Sequence, residues 1–450
     1  MANTDVADES VPVLVLTAAV GAIVLVLILL CNSVRGEKEE EHQEHDEKST
    51  KKEKKNPQQQ SKKSKQQGKA PKKQQHSFTH PYLAATLKGH SDNVVDLDFS
   101  INGKYLASCA EDRTVRIWSL KEFKDKEHKC LRGNVEYDHG TNVKFSPDCK
   151  AFITSISNGN CIRVFKIGKK EDGNAASITN VLDFPKKHVL DIIDIGIGSV
   201  PNGSYIMTAT GDTTIIIWDL KGEVLTTIDT HHMNNNHAAV SHCGRFVASC
   251  GFTPDVKLWE VVFTKSGEFS EVRRAMELKG HSASVYHFSF NLDSTRMATV
   301  SKDGTWKLWD TDVEYMKQQD PYLLRTGSWN HTGPSKISLS YDSHTIAIAA
   351  GTNIYVYNAD TGDAEQEYED VHALPITSIA FSPSSYYLVT SGDRHIQVFH
   401  NVTGCKANIT EMEKKLVKAT SKTVKERLQQ QLKTEKEKLE SLHEGMNGSV

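Results

Sequence analysis

A hydroxyl residue, a histidine and an aspartate recur together at four places along the chain. The sets are His90, Ser108 and Asp112; His188, Thr208 and Asp212; His281, Thr299 and Asp303; and His372, Thr390 and Asp393. In each, the aspartate follows the histidine by 21 to 24 residues and precedes an aromatic ring by six, the rings being Trp118, Trp218, Trp309 and Phe399. The hydroxyl stands four residues before the aspartate, or three in the last set. A hydroxyl activated by an imidazole, itself oriented by a carboxylate, is the apparatus of nucleophilic acyl transfer. Repetition argues against that chemistry here, because an active site needs one such set and not four.

Other residue types able to do chemistry are few. The lysine-rich run from Lys48 to Lys73 contains Lys51, Lys52, Lys54, Lys55, Lys62, Lys63, Lys65, Lys69, Lys72 and Lys73, a candidate contact for a polyanion such as anionic lipid or ribosomal RNA. It has no interleaved aromatic residue on which a base could stack, so it is not a sequence-specific reader of RNA. The eight cysteines never form Cys-x-x-Cys. Free thiols suit a reducing compartment. No phosphate-binding loop, dinucleotide fingerprint, zinc spacing or kinase motif set is present. No cofactor, metal or small-molecule substrate is expected.

The elements that carry the four sets repeat. Lys88-Gly89-His90 is followed by alternating apolar and polar residues with an Asn-Gly turn, ending at Trp118, and Lys279-Gly280-His281 opens a similar stretch ending at Trp309-Asp310. This is the pattern of short antiparallel strands joined by tight turns. The terminal aromatic recurs at Trp118, Phe165, Trp218, Trp259, Trp309, Tyr357 and Phe399, at steps of 41 to 53 residues. A period in the forties, with Gly-His in front and Trp-Asp behind, is a propeller signature. Residues 81–400 therefore resemble the WD-repeat β-propeller family, an all-β fold, and seven anchors imply seven blades. The resemblance implies a structural network within a blade, in which the aspartate bonds the histidine, the histidine the hydroxyl, and the hydroxyl the indole. It also implies that Tyr82–Leu87 completes the last blade and closes the ring. The second, fourth and sixth repeats carry Gly159, Thr253 and Gly351 at the aspartate position and must lean on apolar packing. Pro254 is expected to interrupt the ladder of the fourth. Trp306 reads as a core residue, whereas Trp329, in an irregular stretch, is the better surface candidate.

The formal charge of the 450 residues is only −3. That figure conceals segments of opposite sign. Residues 1–34 carry −3 and include Val11 to Leu30, twenty uncharged residues, enough for one membrane-spanning helix. An acidic, Lys- and Arg-free N-terminal flank with Arg35 and Lys38 on the other side marks an uncleaved signal anchor with a short lumenal N-terminus and a cytosolic body. Residues 35–76 carry +5 and lack the apolar residues that would offset ordering entropy, so they read as a disordered linker. The repeat region, 77–404, carries −8 and is no broad phosphate binder. Residues 405–450 carry +3 and show a helical period of apolar residues broken between Ala419 and Val424, with Thr410 and Glu413 as a candidate capping box.

The expected order is thus a lumenal tip at 1–10, an anchor at 11–34, a linker at 35–76, a propeller at 77–404 and an amphipathic tail at 405–450. Runs such as Asp183–His188, Cys243–Lys257 and Lys302–Tyr315, together with the anchor, are similar to a membrane-anchored member of the WD-repeat family. That likeness implies residence in the endoplasmic reticulum membrane. It further implies association with an ER-stress kinase of the PERK type through the anchor region, and with ribosomes or messenger RNA through the propeller. The residues themselves lead to a non-enzymatic, membrane-tethered scaffold for protein partners, with RNA or ribosome binding through the lysine run as the alternative.

Overall fold

A computed structural model describes residues 78–447, apart from 124, 126, 170–174, 330 and 332. Val11–Leu30 and the lysine run lie outside the described residues. None of the described helices is long and apolar enough to cross a membrane.

The alternating stretches form seven four-stranded antiparallel sheets. Each of the seven terminal aromatics falls on the third strand of its blade, from Trp118 on Thr114–Ser119 to Phe399 on His395–His400. The first strands of the blades, such as Val94–Phe99, Ile192–Val200 and Val285–Phe290, neighbour one another in cyclic order about a central channel. Packing is between blades. Trp118 and Leu106 of the first blade, for example, share an apolar cluster with Ile396 and Val398 of the seventh. Burying one face of each sheet against its neighbour removes the apolar alternation from water all the way round.

The ring is closed by the strand Leu83–Lys88, which pairs antiparallel with His395–His400, from Leu83 opposite Phe399 to Lys88 opposite His395. Tyr82–Leu87 therefore falls where the family resemblance places it.

Several local expectations are corrected. Pro254 lies in the turn before the strand Asp255–Phe263, whose ladder to Phe246–Gly251 is unbroken. Trp329 is 6 % exposed and lies in one apolar cluster with Trp306 of the fifth blade and Ile337 of the sixth, because it continues the strand Tyr322–Ser328, its N–H donating to the Gly304 carbonyl at 3.0 Å. The tail is two helices, α1 (Val402–Lys418) and α2 (Lys422–Asn447), split where the apolar register breaks. Thr410 is not a cap but lies inside α1, its hydroxyl donating to the carbonyl of Lys406. The cap is Asn401, whose side chain accepts from the Gly404 N–H at 3.0 Å. α1 begins directly behind the last strand, inside the range expected for the propeller, because Val402, Thr403, Gly404, Cys405, Ala407 and Ile409 are buried against the ring.

Candidate functional site

In the first blade the second strand carries Ser108, the following turn Asp112, the third strand Trp118, and the segment before the first strand His90. An indole N–H can only donate, so the direction of the chain is fixed. Trp118 Nε1 donates to Ser108 Oγ at 2.9 Å, Ser108 and His90 Nε2 stand 2.8 Å apart, and His90 Nδ1 lies 3.0 Å from Asp112 Oδ2. Asp112 is further held by the Ser91 and Thr114 backbone N–H groups and the Thr114 hydroxyl. The fifth blade repeats the arrangement, with Trp309 Nε1 to Thr299 Oγ1 at 3.0 Å, Thr299 to His281 Nε2 at 2.7 Å and His281 Nδ1 to Asp303 at 2.9 Å. Gly89 and Gly280, one before each histidine, have a packing reason: a Cβ there would stand 2.9 or 3.0 Å from the indole of Trp118 or Trp309.

The other two sets are partial. His188 meets Thr208 at 2.6 Å and Trp218 donates to Thr208 at 2.8 Å, but Asp212 binds its own turn through the Thr210 hydroxyl and the Thr214 N–H and makes no hydrogen bond to His188. In the seventh blade His372 Nε2 meets Thr390 at 3.0 Å, whereas its Nδ1 stands 3.4 Å from Asp393 with no hydrogen bond formed. Phe399 has no N–H to donate. Asp393 instead accepts from the Ala373 and His395 N–H groups.

Burial of the imidazoles lowers the pKa of His90, His188 and His281 despite the nearby carboxylates. Those three rings are neutral. The hydroxyls of all four sets, Ser108, Thr208, Thr299 and Thr390, are fully buried at 0 % exposure. No substrate carbonyl can reach them. The sets lock blades rather than attack a ligand.

A fifth member was missed. In the fourth blade His232 Nδ1 bonds the Thr253 hydroxyl and its Nε2 meets the Ser249 carbonyl at 3.1 Å. Thr253 follows His232 by 21 residues, stands four after Ser249 and six before Trp259, as the aspartate does in other sets, so spacing alone could have found it. In the second blade Asp138 takes the histidine's place and holds the N–H groups of Asn158 and Gly159.

A second polar system surrounds the channel, a cavity of about 1120 Å³. The first strands of blades one to five each contain a one-residue register shift, ahead of Asp96, Asn142, Asp194, His237 and His287. A bulge re-aims the residue that follows it; all of these but His237 bond the next blade, and the fourth blade reaches the fifth through Asn236, whose amide donates to the Val285 carbonyl at 2.8 Å and to Ser284 Oγ at 3.0 Å. Asp96 accepts from Val143 N–H at 3.1 Å and Lys144 Nζ at 3.3 Å, and Asn142 donates to the Ile193 carbonyl at 2.9 Å. Asp194 accepts from the Ala238 N–H and meets His237 Nδ1, both at 3.0 Å. The Ile337 N–H donates to His287 Nδ1 at 3.4 Å. Lys336 donates to the Thr377 carbonyl, and Ser378 Oγ donates to Asp96 at 2.9 Å, which completes the circle. The signal was again an offset: Asp96, Asp194, His287 and Ser378 each lie six residues after the histidine of their set. Among the described residues no group of three His, Cys, Asp or Glu side chains could hold a metal ion.

The ten candidate lysines from Lys51 to Lys73 lie outside the described residues.

The family model for the WD domain, G-beta repeat, matches residues 82–119, 186–219, 273–310 and 367–400, the four repeats that carry a histidine–aspartate set. Transducin beta-like protein 2 of Mus musculus is 56 % identical over 379 residues, covering 84 % of this chain and 85 % of its own. Its counterpart in Homo sapiens is 54 % identical over 380 residues, with the same coverage. The chain belongs to the transducin beta-like protein 2 family. By contrast, a WD repeat-containing protein 26 homolog of Arabidopsis thaliana is 24 % identical over 338 residues, 68 % of this chain and 48 % of that one. Within the transducin beta-like protein 2 family, then, this chain is a seven-bladed WD-repeat propeller, a fold that serves protein interaction.

Proposed function

We propose that this protein is a non-enzymatic scaffold, held by Val11–Leu30 in the endoplasmic reticulum membrane with its propeller in the cytosol. There it gathers protein partners, among them an ER-stress kinase of the PERK type and the translation machinery. One observation carries the reading: the histidine, hydroxyl and aspartate side chains are spent on bonds within and between blades, leaving a rigid closed ring whose turns and rims are free for partners. Tethering concentrates those partners without any new contact. The order of segments, with a lumenal tip at 1–10, an anchor at 11–34, a linker at 35–76 and the ring behind it, is part of the same proposal.

The test compares full-length protein with a variant lacking residues 1–34 in cells. Resistance to alkaline extraction and co-migration with reticulum membranes are expected only for the full chain. Proximity labelling from the C-terminus should then capture a PERK-type kinase and ribosomal proteins. A glycosidase-sensitive mobility shift from the exposed sequon Asn202-Gly203-Ser204 would put the propeller in the lumen and overturn the topology.

The charge contrast between the lysine run and the acidic ring favours a second reading, direct ribosome or RNA contact through Lys48–Lys73. Ribosome association that falls steeply with salt, and that is lost when those lysines become glutamines, would support it.

A further inference from the structure

The tail helices place a dense positive charge at one point beside an acidic ring. The first half of α1 is buried on the ring, and the far end of α2 returns to it, where Lys438 lies over the Tyr386 ring at 5.7 Å. Lys436 bonds Glu413 at 2.8 Å and so ties the two helices together. Between these supports the hairpin projects. From Val417 to Arg427 every residue is exposed except Ala419. Residues 414–433, spanning the end of α1, the bend and the start of α2, hold seven Lys or Arg and a single Glu. Lys415 is paired with Glu411 at 2.8 Å and Lys433 loosely with Glu437 at 3.8 Å. Lys414, Lys418, Lys422, Lys425 and Arg427 have no ion-pair partner among the described residues. Two apolar side chains stand among them at the bend, Val417 at 86 % and Val424 at 47 % exposure.

Where the hairpin leaves the ring also matters. The His400 N–H donates to the Tyr82 carbonyl at 2.9 Å, and α1 starts two residues later. The chain therefore enters the ring and leaves it for α1 at the same edge.

We infer that the bend of the α1–α2 hairpin docks on an anionic lipid surface, Lys414, Lys418, Lys422, Lys425 and Arg427 facing the headgroups and Val417 and Val424 entering the interface. Five unpaired cations are a match for the negative surface potential of a cytosolic leaflet, and exposed valines beside them suit the headgroup–acyl boundary rather than a nucleic-acid groove. The entry point adds that, on the reading of Val11–Leu30 as an anchor, the tethered edge of the ring is also the edge that carries the hairpin. Two weak signals then act together, the tether supplying local concentration and the tip orienting the ring on the membrane.

The test uses the full chain with vesicles of phosphatidylcholine, with or without phosphatidylserine, and follows amide hydrogen exchange over residues 414–433. Slower exchange is expected with phosphatidylserine only, and it should be lost in high salt. It should also be lost in the triple variant Lys422→Gln, Lys425→Gln, Arg427→Gln, whose surface association through the tip should fall roughly 100-fold, at about 1 kcal/mol for each of the three basic residues. Unchanged thermal stability of that variant would show that its ring is intact. Alkali-resistant retention on both kinds of vesicle reports the anchor separately, so an inserted chain with an unprotected tip overturns the docking while sparing the anchor. A chain retained by neither vesicle, and unprotected, overturns both. Protection by a single-stranded oligonucleotide but not by phosphatidylserine would also overturn the lipid assignment.

Discussion

The indole, hydroxyl, imidazole and carboxylate of the fifth blade form one line of donors and acceptors, and removing any member leaves its neighbours short of a bond. His281→Ala should cost about 1–3 kcal/mol, the penalty of depriving the buried Thr299 hydroxyl of its imidazole partner and the Asp303 carboxylate of one of its donors. A thermal denaturation midpoint equal to the parent's would count against the network. The same rings make the protein sensitive to acid. Burial lowers the pKa of His90, His188 and His281, and that of His232 to about 4. In the unfolded chain each titrates near ~6.5, so the unfolded state binds protons first as pH falls. The stability that rests on neutral rings is whole above about pH 7 and drains away from roughly pH 6.5 downward. Asp303, held at about 2 by the Thr305 hydroxyl, the Ser282 N–H and His281 against its desolvation, works in the same direction at lower pH. Its contribution is present above the ordinary carboxylate range and is lost below it. The urea midpoint should therefore be lower at about pH 5 than at about pH 7.5, and a midpoint that held steady or rose would refute the assignment of neutral imidazoles. The regular sets were legible because offset and chemistry agreed. His232 was not, because Thr253 keeps the offset while discarding the carboxylate.

Two elements depend on single junctions. The strand Leu83–Lys88 supplies the outer edge of the seventh blade and buries Leu87 against Val94 and Ile396. A chain beginning after Lys88 should lose cooperative unfolding of the ring, seen as a broad or early thermal transition. A chain lacking 35–76 should melt as the parent does, and equal behaviour of the two deletions would deny the closing role. At the other end Asn401 joins ring and helix: it caps Gly404, donates to the Ser385 carbonyl at 2.8 Å and accepts from the Thr345 hydroxyl at 3.2 Å. Asn401→Ala should cost about 2 kcal/mol, at the upper end for a helix cap because the site is buried. It should also raise hydrogen exchange across Val402–Ile409, and an unchanged exchange rate there would sink the idea. The strands were readable from alternation and the tail from its helical period. The start of α1 was not, since Val402-Thr403-Gly404 is poor helix sequence that becomes helical because the ring buries it.

Across the whole molecule the polar circuit of the channel links blades that the apolar seams only press together. Asp96 touches the second and seventh blades at once, through Val143, Lys144 and Ser378. Asp96→Ala should cost about 2–3 kcal/mol, as expected for a charged acceptor removed from buried donors. In a double-mutant cycle with Ser378→Ala the two changes should depart from additivity by more than ~0.5 kcal/mol, and strict additivity would show that the first and seventh blades do not communicate through this pair. The circuit escaped notice in the sequence because its residues differ in kind, Asp, Asn, His, Lys and Ser, and only the fold gives them one address. The closure of the ring has a further consequence for how the protein is made. Thr86 bonds Gln397 across 311 residues. At roughly 5–20 residues per second on the ribosome, the first strand waits about 15–60 s for its partner to be synthesised. During that interval the nascent chain is an open arc with unpaired edges at its front, the form in which it most needs a chaperone, and it becomes a wheel only as the last blade emerges.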